Sequence, residues 1–308
     1  MRKILIAIMV ILACSPAVFA DLTSTPAPAA FADIGTVRAA GMGGAFAAIA
    51  NDSNAVFYNP AGIPTSDYTD FSFMWAKHKD LVQYNYFSLI YPMRKLRGVG
   101  GAVIVSGDEL INERTLFFSY AENLNWLLGI IKGVHVGANL KFHFGGYGNN
   151  EDDPSPLHVT GTMFGVGLDF GLLWQINSNL QFGLMVKDGF SFINWSNNLH
   201  DSFWQEGVPM TTDIGLCYKT NDMYLAIDLT DVDRIHIGVE KTVATYLDLR
   251  AGIMQELELG ADREYSLGLG VGHFEFGAKR ELSMNIDFAY VFEVLASTFK
   301  FQLSFKFK

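Results

Sequence analysis

Cysteine is nearly absent: Cys14 and Cys217 are the only two in 308 residues. Cys14 falls in an apolar leader, so no internal disulfide framework braces the rest of the chain, even in an oxidising compartment. Basic residues are also few, 22 against 32 acidic, a balance that excludes nucleic acid as a partner. Past the leader no uninterrupted apolar run approaches the roughly 18 residues of a spanning helix. The sequence has no Gly-x-Ser-x-Gly elbow, phosphate-binding loop, paired-cysteine metal site or His-Glu-x-x-His motif. It therefore offers nothing on which to build an enzyme, a cofactor site or a metal centre.

What is present begins with the leader. Arg2 and Lys3 precede an apolar run from Ile4 to Ala13, and Val18-Phe19-Ala20 follows with a site for signal peptidase. Cleavage is expected after Ala20; the competing reading makes Ile11-Leu12-Ala13-Cys14 a lipoprotein signal, with Cys14 acylated. Half of the residues are apolar, 25 are Phe and 30 are Gly. High aromatic and glycine content in an exported chain without a spanning helix points to β structure, and to a barrel of a bacterial outer membrane.

From Tyr68 onward the chain breaks into segments of about ten residues that alternate apolar and polar, the period of a two-faced strand. In the last, Phe299, Phe301, Leu303, Phe305 and Phe307 share one face and Lys300, Gln302, Ser304, Lys306 and Lys308 the other. Strands are predicted at 69–77, 81–92, 98–106, 113–122, 133–144, 162–175, 179–188, 210–219, 222–230, 234–243, 246–254, 264–272, 282–292 and 297–307. An even count of about fourteen (twelve is the alternative) places both ends on the periplasmic side. The two longest links, Gly145 to Gly161 and Asp188 to Pro209, then fall outside the cell. A secreted soluble β-sandwich would also alternate. Chain length without a linker, and a glycine-rich polar face, favour the barrel.

Residues 35 to 64 do not alternate. Small residues from Ala39 to Ala50 make a compact piece with a short helical tendency, and Asn59-Pro60-Ala61-Gly62 is a turn signal. Arg38, Ala39, Gly41, Met42, Gly43, Gly44, Ala45 and Phe46, followed by Asn59, Pro60, Ala61 and Gly62, resemble the N-terminal pattern of the FadL-like outer-membrane proteins. The match covers about thirty residues strongly. The resemblance implies that this segment is a hatch in the barrel lumen and that long-chain fatty acids or other hydrophobic compounds are moved inward. In length and in its C-terminal half the chain looks more like the PorV/PorQ-type branch, which implies an accessory role with secreted proteins instead. The expected layout is a signal peptide over 1–20, a hatch over 21–67 and the barrel over 68–308.

With the Phe-rich face toward lipid, Gly137, Gly165, Gly167, Gly171, Gly183, Gly215, Gly238, Gly252, Gly268, Gly270 and Gly272 point inward. Glycine weakens a strand unless something must approach closely, and the hatch is the natural candidate. His135, His143, Asp169, Lys187, Asp213, Asp228, His236, Glu240, Asp248, Arg250 and Asp287 share that face. Arg250 and Lys141 are candidates for a ligand carboxylate; the competing reading pairs these charges between wall and hatch. Cys217 reads as inert filler. Glu151-Asp152-Asp153 lacks the spacing of a calcium loop and reads as a solvated outer loop. Phe190, Phe192, Trp195, Phe203 and Trp204 in the link 188–209 are expected either to receive an apolar ligand at the mouth or to sit in a membrane-interface belt. The partners expected are thus outer-membrane lipid, a hydrophobic small molecule and, on the accessory reading, a secreted protein.

Overall fold

The computed structural model describes residues 35–79, 81–93, 96–108, 110–125, 132–148, 159–198, 203–258, 263–276, 282–294 and 296–307. The leader, both of its processing alternatives and the Glu151-Asp152-Asp153 cluster lie outside these residues.

Alternation of large apolar with small or polar residues produces the wall. Seven strands come first: β1 Thr69–His78, β2 Val82–Met93, β3 Arg97–Gly107, β4 Ile111–Asn123, β5 Val134–Tyr147, β6 Gly161–Gln175 and β7 Leu180–Asn197. After a short β8, Phe203–Gly207, come β9 Thr211–Lys219, β10 Met223–Thr230, β11 Arg234–Ala244 and β12 Leu247–Glu256. The wall ends with β13 Arg263–Phe276, β14 Leu282–Phe292 and β15 Thr298–Phe307. All pairings are antiparallel, and β1 pairs with β15 to close a ring of 14 strands. Closure leaves the wall no unpaired edge, the condition for crossing a bilayer with strands. The protein is thus a transmembrane antiparallel β-barrel.

The fifteenth strand does not add to the ring. Phe192 to Ser196 of β7 pair with β8, whereas Leu180 to Lys187 pair with β9. β8 and β9 therefore follow one another along the same side of β7, as one wall strand broken at 208–210. Opposite the break, β7 carries a bulge at Asp188, whose φ is +53°.

This corrects the expected loop from 188 to 209. Lys187-Asp188-Gly189 looks like a strand end, but the bulge takes up two extra residues and alternation resumes in the same phase. Phe190 and Phe192 thus stand on the outer face of the wall beside Leu168 and Val166. The links after β1, β3, β5 and β7 all lie at one end, the outer end in the predicted layout.

On the outward face Phe118, Tyr120 and Leu267 are among the large apolar side chains left exposed, as lipid contact requires. The core lies inside. Residues 36 to 66 fill the lumen as two short helices, α1 Val37–Gly41 and α2 Ala55–Tyr58, and a 3-10 helix Pro60–Thr65, nearly all buried.

Candidate functional site

The hatch follows the inner wall around the barrel, and glycines mark its track. A Cβ on Gly268 would lie 3.0 Å from Gly41 Cα, and one on Gly252 only 2.0 Å from Gly43 N. Farther round, Gly238 meets Met42, Gly183 meets Ala47, Gly171 meets Asn59 and Gly137 meets Ala61. Gly98 and Gly100 of β3 extend the track to Ile63 and Val56. These two escape the sequence reading because Gly98, Gly100 and Gly101 blur the alternation of β3. Gly167, Gly270 and Gly272 instead abut wall side chains, and Gly165 abuts the Phe192 carbonyl and Ile193 of the adjacent strand; the wall itself, not the hatch, takes up their space.

Arg38 fastens α1 to the wall. Its Nε and Nη2 donate to Glu240 Oε2 at 2.8 Å and Oε1 at 2.7 Å, and its Nη1 donates to Asp52 Oδ2 at 2.7 Å. The guanidinium also lies over the rings of Phe46 and Tyr224. Burial alone would lower its pKa, but Glu240 and Asp52 more than offset that, and the group is held charged. Glu240 is shared: Arg250 Nε donates to its Oε2 at 2.5 Å, and Arg250 Nη1 reaches Asp287 Oδ1 at 2.6 Å. Arg250 thus joins the wall-to-hatch pairing.

Lys141 pairs with Asp169 at 2.7 Å and Asp188 at 2.6 Å, beside the bulge in β7. Asn139 bridges this cluster to the hatch, donating through Nδ2 to Val56 O and to Asp169 Oδ2.

The Asn-Pro-Ala-Gly stretch is a cap as well as a turn. Asn59 Oδ1 accepts from Ala61 N at 3.1 Å and starts the 3-10 helix, while Nδ2 donates to Ala47 O at 2.8 Å and Leu172 O at 3.0 Å. One side chain thereby ties two hatch segments to β6. Gly62 packs on Ala50. Asp228 accepts from the backbone N–H groups of Phe46 and Ala47, and His236 Nδ1 bonds Gly43 O.

Between the hatch and the outer end lies a cavity of about 290 Å³, whose lining includes Gly44, His236, Glu256, Glu264, Glu293 and Lys300. The β6–β7 side differs in character: inward-facing Met163 and Ile193 pack with Trp195 and Val208. Trp195 Nε1 donates to Glu206 Oε2 at 3.2 Å, and the indole lies 5.9 Å from the ring of Tyr147. Of the aromatics predicted for the mouth, Trp195 is thus luminal, Phe190 and Phe192 face outward, and Trp204 is placed by its backbone pairing with Trp195. Lys300 and Gln302, on the polar face expected for the last strand, complete the polar lumen with Asp70 of β1 and Glu293 just past β14, two residues that sequence reasoning passed over. Cys217 is buried and unbonded to sulfur. Among the described residues no three His, Cys, Asp or Glu side chains are grouped to hold a metal ion.

No known family's sequence profile matches the chain, and no curated protein matches it. Solved structures do. The CymD monoaromatic hydrocarbon channel is 14% identical with a TM-score of 0.58, the match covering 88% of this chain and 96% of that one. The toluene transporter TbuX of Ralstonia pickettii is 11% identical with a TM-score of 0.58, over 89% and 98%. A FadL homologue of Pseudomonas aeruginosa is 12% identical with a TM-score of 0.59, over 88% and 98%. At such identities the likeness establishes the fold, a FadL-like barrel.

Proposed function

We propose that the protein is a passive channel of the bacterial outer membrane for hydrophobic small molecules, long-chain fatty acids among them. On this reading it is exported by its leader and has periplasmic ends, and the hatch shifts to open a path. One observation carries the proposal: the lumen is filled by a separate segment that lies on glycines and is tied down by a few polar contacts, so passage requires that segment to move. The fold is also that of proteins described as hydrocarbon channels and a toluene transporter, and Trp195, packed on the buried Met163 and Ile193, sets an indole at the outer mouth. Arg250 and Lys141, each bonded to carboxylates, serve the hatch and the bulge before any ligand.

Liposomes loaded with labelled oleate or toluene uptake reporters test the proposal. Deleting residues 35–62, or replacing Arg38 with alanine, should change flux while the barrel still migrates as folded. Unchanged flux through an intact barrel would sink it.

The outward-reaching hairpin of β7 and β8 favours a second reading, the PorV/PorQ-type accessory role in which a secreted protein docks on the outer end. Capture from native membranes that yields no stoichiometric partner protein counts against it.

A further inference from the structure

The outer face of β4 to β8 changes character rung by rung. Asn112, Gly146, Thr162 and Ser196 pair across four strands to form one uncharged polar rung. The next rung toward the membrane centre holds Arg114, Phe144, Phe164 and Asn194. Below it come Leu116, Phe142, Val166 and Phe192, then Phe118, Leu140, Leu168 and Phe190. The apolar rungs end at the ion pair of Arg97 and Glu122. Arg114 and Glu122 are separated along β4 by roughly 26 Å of strand, or roughly 20 Å of height at the usual tilt, close to the ~25 Å apolar band of such barrels. Arg114 therefore stands at the outer boundary of that band, where alone a lipid-facing cation is tolerated.

Arg114 is exposed, and among the described residues it forms no hydrogen bond or ion pair. Its outward neighbours on these strands include no carboxylate, although the chain carries a net charge of −10. Directly above lies a cleft of about 390 Å³ lined by Asn, Thr, Ser and Gly alone, including Thr162, Ser196 and Asn198. Thr162 and Ser196 hydroxyls lie 3.1 Å apart across its floor. A planar cation, a row of hydroxyls and amides, and phenyl rings beneath match a phosphate, a sugar and an acyl chain in that order.

We propose that this sector of the rim binds one molecule of a phosphorylated glycolipid of the outer leaflet, with Arg114 on its phosphate and the Asn112–Thr162–Ser196 rung on its sugar. The proposal rests on the outer-membrane reading of the barrel and is independent of what the lumen carries.

Native mass spectrometry of the full-length barrel tests it. The probes are bisphosphorylated lipid A, its dephosphorylated form and phosphatidylglycerol. The wild-type protein should retain bisphosphorylated lipid A in preference to both others. Arg114→Ala should weaken that binding about tenfold, the worth of one charge-assisted contact, and leave the dephosphorylated form unchanged. Thr162→Leu with Ser196→Leu should weaken both glycolipids. Lys132→Ala, an exposed cation at the opposite end, should change nothing. All variants lie on exposed positions, and heat-modifiable migration on gels verifies the fold. Equal retention of phosphatidylglycerol, or equal effects of Arg114→Ala and Lys132→Ala, would overturn the site. A folded barrel missing from the outer-membrane fraction would overturn the membrane reading itself.

Discussion

Arg38 and Glu240 stand 202 positions apart in the sequence and meet in the lumen through two parallel hydrogen bonds. The carboxylate is at once bonded to Arg250, so hatch, β11 and β12 share one charge. Replacing Arg38 with alanine leaves Asp52 without its counter-charge and Glu240 half served. The expected loss is about 3–5 kcal/mol, the range for a buried pair broken on one side, read as a lower denaturant midpoint in vesicles. Arg38→Lys keeps the charge but not the fork and should restore only part. A loss below about 1 kcal/mol would mean that water screens the pair.

Glycine positions separate close approach from empty space. Alanine at Gly252 or Gly137 would drive a methyl into the backbone of Gly43 or Ala61, whereas nothing lies within 4 Å of a Cβ on Gly207. The first two should each cost about 1–3 kcal/mol or more by overpacking and make the hatch more open to protease. Gly207→Ala should stay within about 0.5 kcal/mol of wild type.

Asn59 concentrates three hydrogen bonds in one amide. Asn59→Asp keeps its size and removes the donor, turning a carboxylate toward the carbonyls of Ala47 and Leu172. The expected cost is about 1–3 kcal/mol, with faster hydrogen exchange at Ala61 and Gly62. Unaltered exchange there would show that the Nδ2 ties to Ala47 and Leu172 are dispensable.

How much of this was legible beforehand depends on range. The wall strands alternate within ten residues, and the last of them, Phe299 to Phe307, declares its two faces outright. The bulge at Asp188 was hidden because Lys187-Asp188-Gly189 carries turn chemistry; the resumed alternation of Phe190 and Phe192 was the available signal. Luminal pairings had no local trace. Nothing near Arg38 points to Glu240, and nothing near Lys141 points to Asp188, because strand order around the ring decides both. Gly137, Gly171 and Gly252 could be assigned to the inner face by parity, but which hatch residue each receives follows from the path of residues 41 to 63.

The outer turn after β3 should respond to acid in a defined direction. Asp108 accepts from the backbone N–H groups of Leu110 and Ile111 at 2.8 and 3.0 Å, and these bonds hold its pKa below the usual 3.8. A depressed carboxylate stabilises the turn above its unfolded pKa, and the contribution disappears as pH falls through the folded value. Exchange protection of the Ile111 amide should therefore persist down to pH 3.8 and fall only below it. Asp108→Asn should remove that pH dependence, and protection that declines already near pH 5 would contradict the assignment.

The ties between hatch and wall also order events in time. Residues 38 to 47 leave the ribosome before any strand exists, yet their partners are Asp228, His236, Glu240 and Ser266. This early segment is thus among the last to be satisfied, and its set of wall anchors is complete only when β13 has been delivered. Contacts of such separation make assembly slow, and a chain cut short after β9 would present a hatch with none of those anchors.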